Sequence, residues 1–218
     1  MAFIHGKETK IFINSSNFST YFNNADANRS ADIAESTTFG NDNKTYIVGE
    51  KDGTVSLSGL FDATADATLQ PLLGGSDFDF AMGIDGLDTG DSATFTKGNI
   101  TNYAVSSPVG DIVATSLDVQ SDEGMWNGQV LVASAFTATG AQGSAQDNSS
   151  STSNGLGAFL IVTSVSGTSP TGVVKIQHSA DNVTYADLIT FTTATGATSE
   201  VKFVDSGTPI NRYLRVHN

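Results

Sequence analysis

Three histidines, His5, His178 and His217, are the first residues to weigh for chemistry, because imidazole serves as both metal ligand and general base. They lie far apart, and none has a partner at metal-ligand or Glu-x-x-His spacing. The chain has no cysteine, which excludes disulfides, thiolate metal sites and a cysteine nucleophile together. Neither a Gly-x-Ser-x-Gly elbow nor a phosphate-cradling glycine loop before a helix appears. These missing constellations point away from an enzyme. No catalytic residue, cofactor-binding residue or metal ligand is assigned, and no cofactor is expected.

The acidic run Asp85-Gly86-Leu87-Asp88-Thr89-Gly90-Asp91 offers oxygens of the kind calcium takes, but its spacing departs from the EF-hand pattern. Asp and Gly also dominate ordinary turns between strands, and the turn is the favoured reading. Asp77-Phe78-Asp79 reads as a strand with alternate residues toward solvent. Trp126 sits in the polar stretch Asp122 to Gly128, expected to be turn-like. There it would pack at a core edge or, if exposed, meet a neighbouring subunit or ligand.

The elements that would hold these residues are predominantly strands. Among 218 residues there are 22 glycines, 4 prolines and one tryptophan, with abundant Thr and Ser, a composition suited to short strands joined by tight turns. No apolar run approaches the roughly 18 to 20 residues needed to cross a bilayer, so no membrane partner is expected. The N-terminal Met1-Ala2-Phe3-Ile4-His5 lacks the pattern of a secretory leader, which leads us to expect a cytoplasmic site of synthesis.

Alternation begins at Thr9 to Asn14, followed by a turn over Asn14-Ser15-Ser16-Asn17 and a second strand from Phe18 to Phe22, together a hairpin. Further strands are expected over Arg29 to Phe39, Thr45 to Val48 and Thr54 to Phe61. Asp62 to Leu73 breaks the pattern as one short helix, capped by Asp62 or Thr64 and made irregular by Pro71. Strands resume at Phe78 to Ile84, Ala93 to Lys97, Ile100 to Ser106, Asp111 to Gln120 and Gln129 to Val132. From Thr137 to Gly155 the chain is low in complexity and nearly free of large apolar residues, a linker or the loose first strand of a second domain. Beyond it strands are expected at Ala158 to Ser164, Val173 to His178, Leu188 to Thr192, Val201 to Val204 and Tyr213 to His217. The boundary is placed near Val132.

The formal net charge of −13 is unevenly placed. Residues 1–132 hold 18 Asp and Glu against 6 Lys and Arg, while residues 133–218 hold 5 against 4. A surface of that sign repels the phosphate backbone, although solubility alone also accounts for it.

The run Ala34-Glu35-Ser36-Thr37-Thr38-Phe39-Gly40, a polar loop, and then Tyr46-Ile47-Val48-Gly49-Glu50-Lys51-Asp52-Gly53 continuing to Phe61-Asp62 resembles the tail tube, or major tail, proteins of siphophages. Val48 stands where that family often has proline. The resemblance covers residues 1–132. It implies an all-β fold, a β-sandwich or barrel with one short flanking helix, whose subunits form hexameric rings stacked into a hollow tube. It further implies that the segment from Thr38 to Gly53 reaches the adjacent ring, with Thr38, Phe39, Gly40, Asn41, Asp42, Asn43, Lys44, Gly49, Lys51, Asp52 and Gly53 as its inter-ring residues. The partners implied are the chain itself, the tape measure protein and other tail proteins, with DNA passing through a negative lumen without specific binding. The location implied is the virion tail, assembled in the host cytoplasm. Residues 133–218, through Val174 to Leu188 and Asn211 to Val216, resemble an accessory β-sandwich domain at the end of some major tail proteins. Such a domain would be exposed on the tube exterior, either as passive decoration or with an affinity for host-surface glycans. The contrasting expectation is a capsid-decoration or adhesin protein.

Overall fold

The computed structural model describes residues 5–168 and 170–218. Met1 to Ile4, part of the segment examined for a leader, lie outside the described residues. The first strands are β1 (Lys10–Ile13), β2 (Ser16–Asn17), β3 (Phe22–Glu35) and β4 (Tyr46–Leu60). After helix α1 (Ala63–Leu69) come β5 (Phe78–Gly83), β6 (Ser92–Ser106) and β7 (Ala114–Gln129). The remainder comprises β8 (Ala141–Asp147), β9 (Leu156–Val162), β10 (Lys175–Ser179), β11 (Ala186–Thr190), β12 (Thr198–Val204) and β13 (Tyr213–His217). Among the described residues the chain is all-β apart from α1 and short 3-10 turns, as composition leads one to expect. No helix among the described residues is long and apolar enough to cross a membrane.

Seven strands form one sheet in the order β2-β1-β5-β6-β7-β4-β3. A four-stranded sheet runs β11-β10-β13-β8, and β12 pairs with β9. Packing divides the chain into two compact units. One comprises Phe18–Phe78 and Thr96–Met125; the other comprises the described residues up to Asn17, with Asp79–Phe95 and those from Trp126 to Asn218.

In the first unit the helix forms where the period breaks. Asp62 is extended, and its carboxylate accepts from the Thr64 and Ala65 amides, satisfying donors that the first turn leaves free. Ala65 and Leu69 are its buried residues, and the chain tightens into a 3-10 turn over Gln70–Leu72, where Pro71 cannot donate. The core is read from alternation: Val55 and Leu57 of β4 and Leu117 and Val119 of β7 are at most 1% exposed. Gly98 does not break β6, as the separate strands expected around it would require. A Cβ there would stand 2.6 Å from Val119 Cγ1 and 2.8 Å from the Gln120 carbonyl, so the strand continues because two backbones meet closely.

The second unit has two apolar clusters. Ala158, Ile176, Ile189, Phe191, Leu214 and Val216 share a core between the four-stranded sheet and the β9–β12 pair. Ala81 and Phe95 pack with Val201, against Phe12, Phe159 and Ile161, and the Phe95 and Phe159 rings stack at 5.8 Å. Packing thus joins residues on both sides of the composition change near Val132. The low-complexity tract supplies β8, whose pairing with β13 is broken between Leu214 and Val216.

Several expectations are corrected. Phe18 to Tyr21 is not a strand: Asn14 adopts φ 52, Ile13 pairs directly with Ser16, and the chain turns again where the Tyr21 amide donates to the Phe18 carbonyl. Asp122 to Gly128 is not a turn but the continuation of β7, with the irregularity confined to Glu123 and Gly124, both at positive φ. Trp126 therefore lies on a strand, 5.3 Å from the Phe203 ring and partly exposed. Gln129 to Val132 forms no strand beyond the end of β7.

Candidate assembly surfaces

Two of the three histidines accept backbone hydrogen bonds, while His217 Nδ1 is buried without a hydrogen-bond partner among the described residues. His5 Nδ1 accepts from the Lys7 amide, and His178 Nδ1 accepts from the Asn211 amide. The Asp85 to Asp91 run is a pair of turns: Gly86 and Gly90 sit at φ 104 and 102, and Asp91 accepts from the Asp88 amide at 2.8 Å. Among the described residues no three His, Asp or Glu side chains are grouped to hold a metal.

The distinctive feature lies in the first unit, where β3 and β4 form a long antiparallel ribbon. Its register runs from Phe22↔Gly59 to Glu35↔Tyr46, with shifts between Phe22 and Asn24 and between Ala31 and Ile33. Only the inner half of β4 is buried on one face. From Tyr46 to Asp52 every residue is exposed, and so is every residue of β3 from Asp26 onward. The outer ribbon nevertheless carries Ile33, Tyr46, Ile47 and Val48, with Phe39 fully exposed in the connecting loop. An exposed two-stranded ribbon bearing large apolar side chains is a surface that a partner would cover.

The expected inter-ring residues fall in two places. The loop itself is residues 36–45, where the Asn41 amide donates to the Thr38 carbonyl, Gly40 takes φ 92, and Lys44 Nζ meets Glu35 Oε2 at 2.8 Å. Asp42 and Asn43 are exposed beside them. Gly49, Lys51, Asp52 and Gly53 lie instead on β4, because the strand begins at Tyr46. A Cβ on Gly49 would reach Asp32 Cβ at 3.3 Å; one on buried Gly53 would stand 2.8 Å from Met125 Cβ. The Asp52 carboxylate accepts from the Gly53 amide and from Gln120 Nε2.

The register also sorts charge by face. Facing rows run Asn24–Ser58–Ser116, Asp26–Ser56–Asp118 and Asn28–Thr54–Gln120, with Ser30 opposite Asp52. Residues directly opposite in a sheet share a face, so these side chains form one surface, and none is apolar or basic. Arg29 and Lys51 alternate to the other face. Asp118 is held by Ser56 Oγ at 2.7 Å and Asn102 Nδ2 at 3.1 Å, and these bonds lower its pKa below the ordinary carboxylate value. The carboxylate therefore stays charged to lower pH than an ordinary aspartate would. Sequence reading missed these face residues. Their signal was the polar alternation of Asn24, Asp26, Asn28 and Ser30, which acquires a facing partner only once register is known.

No family model matches the chain, and no curated protein matches it. Among solved structures it is similar to a chain of the virion of a native gene transfer agent particle, at 14% identity and TM-score 0.48, covering 57% of this chain and 98% of that one. It is also similar to the SPP1 tail tube, at 13% identity and TM-score 0.46, covering 59% and 80%. The SPP1 Dit protein, described as a paradigm of the hub adsorption apparatus in phages infecting Gram-positive bacteria, aligns over 96% of this chain and 93% of its own at 10% identity and TM-score 0.41. At such low identity and scores below 0.5, what the chain does is argued from its own residues.

Proposed function

We propose that the chain is a structural virion protein, the self-assembling subunit of a phage tail tube, and not an enzyme. The observation that supports this most directly is the sorted sheet of the first unit. The inner half of β4 and the facing part of β7 pack a core on one side, and the other side, over Asn24 to Ser30, Asp52 to Ser58 and Ser116 to Gln120, is uniformly polar, carrying Asp26, Asp52 and Asp118 without a basic residue. A bore of that chemistry lets DNA slide, whereas a basic one would hold each phosphate. Copies of the chain form rings, hexameric by the sequence resemblance, that stack with this face toward the lumen. The ribbon from Thr38 to Gly53 reaches the adjacent ring. The tape measure protein and other tail proteins are the further partners, and assembly takes place in the host cytoplasm. Residues 133–218 act as an accessory domain on the tube exterior, where host-surface glycans could be met.

Negative-stain electron microscopy of the concentrated full-length protein tests the reading. Stacked rings or tubes are the expected result. Monomers or small discrete oligomers at every concentration would overturn it and leave the capsid-decoration or adhesin alternative.

A further inference from the structure

The sequence holds two Asn-Gly pairs, Asn127-Gly128 and Asn154-Gly155, and the fold treats them differently. Such a pair is prone to an internal reaction because glycine, lacking a side chain, lets its backbone nitrogen approach the preceding carboxamide carbon. Closure also requires the asparagine to leave the extended conformation, where ψ of about +135° turns that nitrogen away from the side chain. Asn127 lies within β7, and its Oδ1 accepts from Thr94 Oγ1 at 2.8 Å. Gly128 continues the same strand, so the two reacting groups are held apart.

Asn154 lies outside the strands, exposed in the bend before β9. Its amide donates to Thr152 Oγ1 at 3.2 Å, and its carboxamide has no hydrogen-bond partner among the described residues. The glycine beside it cannot be replaced by a residue that would slow the reaction without moving backbone. Gly155 takes φ 87, and a Cβ there would stand 2.8 Å from the Val204 carbonyl oxygen. This corner is pinned on both sides. Thr152 and Ile210 exchange both backbone bonds, at 2.9 and 2.8 Å, and Ile210 is buried in the larger apolar cluster of the second unit. Beyond Gly155, Leu156 opens the β9–β12 ladder opposite Val204.

We propose that Asn154 is a site of spontaneous covalent modification in the folded protein. The Gly155 nitrogen gives up its proton and bonds to Asn154 Cγ, while the side-chain nitrogen takes up a proton and leaves as ammonia. Water then opens the cyclic imide at one of its two carbonyls, leaving aspartate or isoaspartate, so that amide and water have become carboxylate and ammonium. Isoaspartate carries the main chain through its side-chain methylene, which lengthens the backbone between the Thr152–Ile210 bridge and the Leu156–Val204 pair. One of the two must give. The isolated bridge, a single residue pair, yields before the seven-pair β9–β12 ladder.

The test holds full-length protein at mildly alkaline pH, samples it over time, and maps its peptides by mass spectrometry with chromatographic separation of isoaspartyl forms. The expected result in the folded protein is conversion at Asn154 at least about tenfold faster than at Asn127, because Asn127 reacts only when its strand opens. In denaturant the two rates should converge. Equal rates in the folded protein, or an Asn154 that reacts only after denaturation, would overturn the site. The consequence has its own readout. In aged protein the Thr152 and Ile210 amides should exchange with solvent faster than in fresh protein, whereas an Asn154→Gln variant aged alike should show no change. Converted protein whose Thr152 and Ile210 amides keep their original rates would overturn the loosening of this corner.

Discussion

The two halves of β4 belong to one continuous strand but obey different rules. From Gly53 to Leu60 the strand alternates buried and accessible residues, with Val55 and Leu57 sealed in the core. From Tyr46 to Asp52 both faces are exposed, although Ile47 and Val48 are as apolar as the residues the inner half buries. The inner half obtains its packing from this chain; in our account the outer half obtains it from another copy. The two ribbon strands bond to each other, but β3 is an edge strand and β4 pairs with β7 only from Thr54 onward, so the outer ribbon leaves both apolar side chains and strand edges to be covered on assembly.

That contrast can be broken by truncating each half. Leu57→Ala should cost about 2 to 5 kcal/mol of monomer stability in a denaturant titration, because it empties a fully buried site. Ile47→Ala should stay within about 0.5 kcal/mol in the same titration while weakening tube formation. Equal losses from the two substitutions would mean that the outer half is already packed.

The glycines sharpen it further. A Cβ on Gly59 would fall 2.0 Å from the Tyr21 carbonyl oxygen, so Gly59→Ala must move backbone and should cost about 1 to 3 kcal/mol. Gly49, whose nearest obstacle is Asp32 Cβ at 3.3 Å, should accept alanine with a much smaller change in unfolding midpoint. Similar midpoint shifts would deny the difference in packing.

The polar face predicts an effect of pH. Asp118 is lowered by its bonds from Ser56 and Asn102, so the stability it lends is present above its unfolded value, 3.8, and is lost as pH falls through the folded value. Ser56→Ala should move the Asp118 titration upward, observed by carboxyl NMR, and make acid unfolding begin at higher pH. An unmoved titration would mean that the face is not preorganised as described. The smallest effect is expected at the ribbon tip. Lys44→Ala removes an ion pair with Glu35 that is exposed to solvent and should leave the melting temperature unchanged.

Much of this organisation was legible in the residues. Asp62 followed by Thr64 and Ala65, with Pro71 downstream, signalled a short capped helix with an irregular end, and the helix occurs there. Tyr213 to His217 was legible as a strand in full because its alternating residues face one core. The ribbon was less so. Its β3 residues are mostly Ala, Asn, Asp and Ser, and without a buried side there is no apolar period to mark the strand, so the sequence places it over Arg29 to Phe39 where it runs from Phe22 to Glu35. Ser121 to Gln129 hid for a related reason: Glu123 and Gly124 have turn-forming residue types and do take positive φ, yet the strand resumes after them. The sorted polar face lay beyond reach because it is a property of register, and a one-residue slip would exchange Asp52 with Lys51.

Hydrogen exchange, read along β4 in dilute and in assembled protein, distinguishes a ribbon that packs against a second copy from one that does not. In the monomer the Tyr46 to Asp52 amides should exchange orders of magnitude faster than those from Val55 to Leu57, since an isolated ribbon opens locally. On assembly the outer amides should slow toward the inner ones. Outer amides that are already protected in the monomer, or that keep exchanging rapidly in the assembled protein, would contradict the claim that this half of the strand finds its packing in a second copy.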